Sequence, residues 1–376
     1  MVRLLVVGLV VALLTYWMHR RLVRATGLTG GWAKIADAVL IVGGVLLVVA
    51  FQVGGLLDPS WARPIGFLGF TWGAVLFYLV LGVIVTGLAS LVARALGAGP
   101  ESCRRGTAVA SVLVVAASVG TVGIGLVEAS SPQVTRDEVA IDGLPESFDG
   151  VRVVFLSDLH VGPARGVDYT RRVVDLVNGA RPDLIVLGGD LTDGTVEHVG
   201  DDLLPLADLR APLGVYGISG NHEYYADDGG SWLDFWQQHL GITPLRNERV
   251  AIQRGGVSID LAGVYDATAP APYEPNVDAA LAGRDENRTL ILAAHQPKQA
   301  DDAQGRGVDL QLSGHTHDGQ LWPFRYAVML AQPVTVGRGQ VGDVPVLVSR
   351  GVGAWGPPVR VGAPPEINVV TLRRTA

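Results

Sequence analysis

The sequence contains a single cysteine, Cys103, among its 376 residues. One cysteine cannot form an intrachain disulfide, and it cannot supply the several thiolates that zinc–thiolate or iron–sulfur sites require. Any metal in this protein must therefore be held by histidine, aspartate, glutamate, asparagine or water. Charge is also scarce, because Asp, Glu, Lys and Arg make up only 17% of the chain.

The charged residues are distributed unevenly along the chain. Residues 1–135 contain nine basic and four acidic residues, whereas the remainder contains 20 basic and 32 acidic residues. A basic, apolar part therefore precedes an acidic part of roughly 240 residues, which is long enough for one globular domain. Because nucleic-acid binding needs clusters of Lys and Arg, the acidic balance makes nucleic acid an unexpected partner.

Four long apolar runs occupy the first third of the sequence. They cover residues 4–18, 38–57, about 65–92 and 107–127. The last three reach the length of about 20 residues that a membrane-spanning helix needs. The first is predicted to be a retained helix rather than a signal peptide, because no small-x-small cleavage site follows it. Buried core helices are the alternative, but no run shows an amphipathic pattern. We therefore predict a transmembrane region of about four helices over residues 1–127.

Basic residues in the connecting loops predict the orientation of these helices. The first and third loops are basic, whereas the second loop contains Arg63 as its one basic residue. The basic residues are Arg20, Arg21, Arg24 and Lys34 in the first loop, and Arg94, Arg104 and Arg105 in the third. Basic loops stay in the cytoplasm. The pattern predicts a multi-pass protein of the cell membrane with everything after residue 127 on the exterior face. No ionisable residue lies deep within a run, which disfavours a transporter and favours an anchor.

The rest of the chain has the pattern of a layered α/β domain. Residues 128–137 are mostly polar and are interpreted as a linker, which leaves residues 138–376 for the domain. Short apolar runs then alternate with helical patterns; the predicted strands include residues 151–156, 184–187, 215–219, 289–294 and 308–312. This alternation predicts an α/β layered fold, in which functional groups sit at the carboxyl ends of strands.

Polar residues follow five of the predicted strands directly. In chain order these sets are Ser157-Asp158-Leu159-His160, Gly188-Gly189-Asp190, Gly220-Asn221-His222-Glu223, His295, and Ser313-Gly314-His315-Thr316-His317. Each set alone is commonplace in turns and loops, but together they contain five of the eight histidines. Such a mixture of imidazole and oxygen ligands suits Mn, Fe or Zn. If the chain stays extended beyond residue 312, His315 and His317 would point the same way.

This ordered set resembles the signature of the calcineurin-like metallophosphoesterase superfamily. That signature reads D-x-H, G-D-x, G-N-H-[DE], a lone His and G-H-x-H, and all five blocks occur here over residues 138–376. The tail around Arg350 and Arg360 resembles the membrane-attached bacterial branch, except that Asp318 stands where that branch usually has glycine. The resemblance implies two packed mixed sheets flanked by helices.

The resemblance also implies a binuclear metal centre that hydrolyses phosphate esters. One divalent ion (Mn, Fe or Zn) would be held by Asp158, His160 and His317, and the other by Asn221, His295 and His315. Asp190 would bridge the two ions. Two such ions about 3.5–4 Å apart would lower the pKa of a shared water and so supply a hydroxide for attack on a phosphomonoester or phosphodiester. His222 would donate a proton on the leaving-group side.

Further roles follow from position in the sequence. Asp193 and Glu223 are expected to orient imidazoles, and Arg165, Arg350 and Arg360 are candidates for phosphate contacts. Four tryptophans are candidates either for a hydrophobic mouth or for the core: Trp232, Trp236, Trp322 and Trp355.

The leading hypothesis is a membrane-anchored phosphoesterase. Its phosphate-ester substrate would come from lipid or from the cell envelope, since the anchor holds the domain near the bilayer. The alternative is an envelope- or lipid-binding membrane protein with a structural or weakly active metal site. A site for one metal ion instead of two is the second alternative.

Overall fold

The computed structural model describes residues 2–375, so residues 1 and 376 of the predicted domain ranges lie outside the described residues. Within that range the chain begins with four long helices: α1 (Val2–Met18), α2 (Gly30–Ala50), α3 (Pro59–Ala95) and α4 (Pro100–Ala129). A π-helical turn (His19–Arg24) extends α1. All four are long and apolar enough to cross a membrane, which confirms the predicted four-helix region.

The second helix differs from its predicted range of 38–57. It begins eight residues earlier, at Gly30, and ends at Ala50. Residues 51–57 form a tight turn instead, because α3 starts directly after them: the Asp58 side chain accepts a hydrogen bond from the Ser60 amide at 2.7 Å, and Pro59 is the first helical residue. An aspartate cap followed by proline is a strong helix start.

Strands and short helices alternate through the remainder of the described chain. The strands are β1 (Gln133–Ile141), β2 (Arg152–Leu156), β3 (Leu184–Leu187), β4 (Val215–Gly217), β5 (Thr243–Pro244), β6 (Glu248–Arg254), β7 (Val257–Gly263), β8 (Leu290–Ala293), β9 (Leu310–Ser313), β10 (Gly337–Val341), β11 (Val344–Val348) and β12 (Glu366–Arg374). The helices are α5 (Val167–Gly179), α6 (Val196–Leu203), α7 (Gly229–Phe235), α8 (Val277–Leu281), α9 (Ala300–Ala303) and α10 (Arg325–Val328).

These strands form two mixed sheets. The strand order is β1-β12-β2-β3-β4-β5 in the first sheet and β10-β11-β9-β8-β7-β6 in the second. Strands β2 to β5 are parallel, and so are β7, β8, β9 and β11. The central strands are buried on both sides, which explains continuous apolar runs such as Leu184–Leu187. The carboxyl ends of β2, β3 and β4 leave one edge of the first sheet together, and those of β8 and β9 leave the second.

The two sheets pack face to face around a shared apolar core. Phe155 and Val186 of the first sheet lie in one buried cluster with Ile291 and Leu312 of the second. The outer face of the first sheet is covered by α5, α6 and α7, and that of the second by α8 and α9. The predicted α/β layered fold, with two packed mixed sheets flanked by helices, is confirmed.

The predicted linker over residues 128–137 takes up defined structure. Helix α4 runs to Ala129, and β1 begins at Gln133 and pairs with β12 over its full length, from Gln133 opposite Glu366 to Ile141 opposite Arg374. β1 is an edge strand whose first residues are largely exposed, so its sequence is polar and resembles a tether. Residues 133–137 of the predicted linker therefore belong to the first sheet.

The apolar helices pack directly on the α/β part. Arg63 of α3 forms an ion pair with Asp202 and donates a hydrogen bond to the Gly162 carbonyl at 3.2 Å. The turn before α3 accepts a hydrogen bond at the Gly54 carbonyl from the Thr195 amide at 3.0 Å. At the end of α4, the Gly125 carbonyl accepts one from the Arg360 amide at 3.0 Å. The α/β part is therefore seated against the ends of these helices.

Candidate metal centre

The predicted site residues meet where the strand ends of the two sheets converge. Strands β2, β3 and β4 deliver Asp158, His160, Asp190, Asn221 and His222, and strands β8 and β9 deliver His295, His315 and His317. Seven of these eight side chains are buried, and His315 is partly buried. Reading the residues after each strand therefore located all eight.

Five of the eight residues have a left-handed backbone. Their φ angles are 57° at Asp158, 49° at His160, 53° at Asp190, 71° at His315 and 49° at His317. Such angles cost on the order of 1–3 kcal/mol for a residue other than glycine, although Asp and His tolerate them better than most. The chain is not extended through His315 and His317, so the condition under which both would point the same way is not met. The two imidazoles enter different groups of side chains.

The first group of side chains consists of Asp158, His160 and His317. His317 Nε2 lies 3.3 Å from Asp158 Oδ1 and 3.1 Å from His160 Nε2. These are the same three residues as those of the first predicted ligand set. Three potential ligand atoms thus surround one small buried space.

The second group consists of Asp190, His295 and His315. His295 Nε2 lies 3.2 Å from Asp190 Oδ2, and the Asn221 side-chain oxygen Oδ1 lies 2.9 Å from His315 Nδ1. The same Asp190 oxygen is 3.8 Å from His160 Nε2 of the first group. Asp190 therefore stands between the groups, in the position that a bridging ligand needs. Metal ligation by these residues stays a prediction.

The chemistry of these groups fits divalent ions. His295 Nδ1 lies 2.7 Å from the Gly188 carbonyl and must donate its proton there. Its Nε2 is buried without a hydrogen-bond partner in the described part of the chain and faces the Asp190 carboxylate. A lone pair facing a carboxylate needs positive charge between the two.

The titration behaviour of the residues agrees with this requirement. Burial opposes ionisation of Asp190, but the neighbouring imidazoles of His295 and His222 outweigh it and lower the pKa of Asp190 well below its usual value. Burial also lowers the pKa of His315 to about 4 and the pKa of His317 to about 3. The site therefore offers an ionised carboxylate at Asp190 and neutral imidazoles at His315 and His317, which are the forms that bind metals. At His295 burial lowers the pKa, but the Asp190 carboxylate outweighs burial and raises the pKa well above its usual value, so this pair favours a positive charge at the ring.

Asp193 connects the first group to His222. Its Oδ1 lies 2.8 Å from His160 Nδ1 and 2.6 Å from His222 Nδ1. Burial opposes its ionisation, but the two imidazoles outweigh that effect and hold the pKa of Asp193 below its ordinary value. An ionised carboxylate can only accept, so both rings donate through Nδ1 and turn Nε2 toward the centre. The expected orienting role of Asp193 is confirmed.

Glu223 has a different role from the one expected. Its carboxylate accepts hydrogen bonds from the backbone amides of Asp190, Leu191 and Gly220 at 2.7–3.0 Å. It therefore holds the loops after β3 and β4 together instead of orienting an imidazole. Burial is the main cause that raises the pKa of Glu223 to about 7.

His222 stands at the outer side of the centre. Its Nε2 is 4.0 Å from Asp190 Oδ2. Burial alone would lower its pKa, but the carboxylates of Asp190 and Asp193 outweigh this effect and raise the pKa of His222 to about 9. The rings of Tyr225 and Trp355 stand beside it, with centroids at 4.6 Å and 6.2 Å. The Tyr225 hydroxyl also accepts a hydrogen bond from the side-chain amide of Asn221 at 2.9 Å. Nothing in the sequence pattern indicated that Tyr225 would lie at the site.

The predicted phosphate contacts of Arg165 and Arg360 were wrong. Both side chains are buried, and their hydrogen bonds go to backbone carbonyls such as Ala354 and Gly353. Arg360 also donates to His317 Nδ1 at 2.9 Å, so it supports that ring from behind. Arg350 binds the Glu366 carboxylate at 2.8 Å, which leaves its guanidinium committed to the protein.

Asp318 points away from the two groups. Its carboxylate forms ion pairs with Arg325 at 2.9 Å and Arg350 at 3.4 Å. This aspartate therefore fastens the loop after His317, and it does not add a side chain to the centre.

The four tryptophans divide between core and surface. Trp232 and Trp236 are fully buried beside the first sheet, whereas Trp322 and Trp355 are about half exposed. Trp355 stands next to His222, and so does the exposed ring of Tyr225. We call Trp355 and Tyr225 the mouth of the centre.

Comparisons with known proteins agree with this geometry. The family model described as calcineurin-like phosphoesterase matches residues 151–319. A transmembrane protein with metallophosphoesterase domain from Danio rerio is 34% identical over 88% of this chain and 80% of its own length. An uncharacterized metallophosphoesterase from Helicobacter pylori is 38% identical over 64% of each chain. The solved structure of a dimetal phosphatase from Danio rerio is 13% identical to this chain. The match covers 54% of this chain and 88% of that one, with a TM-score of 0.33. The four apolar helices and the transmembrane relatives together indicate a membrane protein.

Proposed function

Because the chain belongs to the calcineurin-like metallophosphoesterase family, we propose that it is a membrane-anchored hydrolase of phosphomonoesters or phosphodiesters with two divalent metal ions. The observation that carries this proposal is the pair of neighbouring ligand groups. Asp190 belongs to the second group, lies 3.8 Å from His160 of the first, and has His222 beside it. In this proposal residues 1–127 are the anchor, residues 138–376 carry the reaction, and residues 128–137 join the two parts.

The residues would divide the reaction among them. Asp158, His160 and His317 would hold one ion; Asn221, His295 and His315 would hold the other; and Asp190 would bridge them. When bound, such ions supply a hydroxide nucleophile at neutral pH and positive charge for the phosphoryl oxygens. His222, held by Asp193 with Nε2 toward the centre, is placed to give a proton to the departing oxygen.

The catalytic part is proposed to face the exterior of the cell. The support is the excess of basic residues in the first and third loops, which favours their retention in the cytoplasm. Four spanning helices would then put both the start of the chain and the α/β part on the opposite side.

The test uses the full chain in lipid nanodiscs supplied with Mn²⁺. Hydrolysis of p-nitrophenyl phosphate and of bis(p-nitrophenyl) phosphate distinguishes monoesterase from diesterase activity. We expect Asp190→Asn to lose at least about 100-fold in kcat/KM, since it removes the charge shared by both groups. Asp201→Asn, an exposed acid on α6, is the matched control. Full activity of the Asp190→Asn protein would refute the assigned centre.

The same experiment addresses the alternative of a lipid- or envelope-binding protein with a structural metal site. That alternative predicts bound metal, measured by elemental analysis, without turnover of either ester. The position of His222 favours the enzyme, because a purely structural site has no use for a proton donor beside the shared carboxylate.

A further inference from the structure

An exposed apolar segment follows the last predicted ligand. In the described chain beyond residue 130, nine large hydrophobic residues are exposed, and five of them lie within residues 322–330: Trp322, Phe324, Tyr326, Met329 and Leu330. Leu330 is 90% exposed. We call residues 321–331 the apolar lip. A water-soluble domain seldom concentrates its exposed large hydrophobic side chains in one short segment.

The lip is attached to the side of a helix that can span the membrane. The Tyr78 hydroxyl of α3 donates to the Trp322 carbonyl at 2.9 Å, and the Phe77 and Phe324 rings form an edge contact at 6.4 Å. On α3, Tyr78 lies 15 residues beyond Arg63, about 22 Å along the axis.

This position falls within the apolar part of α3. Counting the roughly 20 residues of a membrane span back from Arg94 reaches about residue 74. Phe77 and Tyr78 lie on the membrane side of that limit, at a depth that the hydrocarbon reaches. Because the lip touches α3 there, it lies level with the hydrocarbon when α3 spans the membrane.

The lip is also joined to the mouth of the metal centre. Gln320, the residue before the lip, donates to the Trp355 carbonyl and accepts from the Trp355 amide, both at 2.9 Å. The Trp355 ring stands beside His222, and a side-chain carbon at the neighbouring Gly356 would lie 3.7 Å from the Phe70 ring of α3. On the other side of the mouth, Ala226 follows Tyr225, and a side-chain carbon at Gly55 of the α2–α3 turn would lie 3.9 Å from Ala226. Both sides of the mouth are therefore close to the helices.

We propose that the apolar lip is immersed in the leaflet next to the catalytic part, and that the centre takes its phosphate ester from a lipid of that leaflet. The substrate class is a phosphorylated amphiphile whose headgroup enters between Trp355 and Tyr225 while its acyl chains stay beside the lip. This inference rests on the proposed phosphoesterase function and specifies the substrate of that same centre. A water-soluble ester would have no need for a mouth seated on the bilayer.

Immersion of the lip is measured with a fluorophore on Leu330→Cys in the full chain in nanodiscs. The only natural cysteine, Cys103, is buried, so the new thiol is labelled selectively. Val257→Cys is the matched control, because Val257 is an exposed apolar residue at the start of β7. We expect quenching at residue 330 by lipids brominated on the acyl chains, and quenching at residue 257 by aqueous iodide. Iodide quenching at residue 330, or shielding from both quenchers by a protein partner, would overturn the proposal.

The substrate class is tested with nanodiscs containing phosphatidic acid as monoester or phosphatidylglycerol as diester. We expect release of phosphate or glycerol phosphate, and we expect Leu330→Asp to lower the ratio of lipid hydrolysis to p-nitrophenyl phosphate hydrolysis about tenfold. A charge between the interface and the middle of a bilayer is disfavoured, so this change lifts the lip from the leaflet. Val257→Asp should leave the ratio unchanged.

The outcomes separate the two proposals. If the wild-type protein hydrolyses neither aryl nor lipid esters with Mn²⁺, the proposed function fails. If it hydrolyses aryl phosphate but neither lipid, or if Leu330→Asp leaves the ratio at the wild-type value, the function stands and the lipid inference is overturned.

Discussion

Asp193 offers the sharpest test of how the centre is organised. A single carboxylate oxygen receives Nδ1–H donors from His160 and His222 at 2.8 Å and 2.6 Å. These two rings serve different purposes in the proposed reaction: His160 holds metal and His222 supplies the proton. Asp193→Asn keeps the size of the side chain and removes its charge. The substitution therefore weakens both supports without opening a cavity.

The size of the effect follows from the hydrogen bonds that are weakened. A hydrogen bond to a charged group contributes about 1.5–3 kcal/mol, and loss of an outer partner of a metal-bound imidazole costs roughly 10–100-fold in affinity or activity. An asparagine can still accept one bond through its carbonyl oxygen. We therefore expect kcat/KM to fall about 100-fold, which corresponds to about 2.7 kcal/mol of transition-state stabilisation.

The assay separates the two rings by their dependence on the leaving group. p-Nitrophenolate departs readily without a proton, whereas phenolate needs one. Loss through His222 should therefore be larger with phenyl phosphate than with p-nitrophenyl phosphate, and loss through His160 should affect both equally and lower the bound metal. Asp201→Asn on α6 serves as control. Wild-type rates on both esters with unchanged metal content would refute the role given to Asp193.

Two further predictions concern stability. Gly66→Ala should lower the free energy of unfolding by about 1–3 kcal/mol, because a methyl group at residue 66 of α3 collides with the Pro163 carbonyl. Gly120→Ala in α4 is the control, because the added carbon there has open space and should not destabilise the protein. Equal thermal midpoints for the two variants would contradict the packing of α3 on the α/β part. Removal of divalent metal with EDTA should lower the thermal midpoint of the protein, since an ion at 100 times its Kd stabilises the fold by about 2.7 kcal/mol. Excess Mn²⁺ should restore the midpoint. If EDTA lowers the midpoint of Asp190→Asn as much as that of wild type, the result would argue against metal at the Asp190 carboxylate.

The location of the centre was predictable because parallel strands end at a common edge. That rule brings together the aspartates after β2 and β3 in the first sheet, and separately the histidines after β8 and β9 in the second. The packing of the two sheets then brings the two edges together. The family resemblance then divided them into two sets. The structure brings together the residues of the first set, and it groups His295 and His315 of the second set with Asp190. Local sequence is enough here, because each strand and the loop after it are contiguous in the chain.

The backbone conformation of the centre was not predictable from the same pattern. His315 and His317 were expected on extended chain, but both have positive φ. An Asp or His allows that conformation without requiring it, as glycine does. The requirement for positive φ at His315 and His317 comes from the opposite sheet, whose residues are distant in sequence. Arg360 is a similar case, since only the fold shows that its guanidinium is buried against backbone carbonyls.

The packing of the helices on the α/β part was also hidden in the sequence. Helices α2 to α4 are apolar on every side, so no stripe distinguishes a protein-facing side from a lipid-facing one. The relevant signals are small residues such as Gly66 and Gly125, whose close contacts involve Pro163 and Val359. Glycine is frequent throughout these helices, and its position alone does not reveal its partner.

The pairing of β1 with β12 has a consequence for biosynthesis. β1 leaves the membrane helix α4 after three residues, and its neighbour in the sheet is β12, which is made about 225 residues later. At 5–20 residues per second, roughly 10–45 s pass before that neighbour has been synthesised. During this interval β1 waits beside the bilayer with its hydrogen-bonding groups unpaired. Of the two sheets, the first is therefore the later to be completed, because it needs β12.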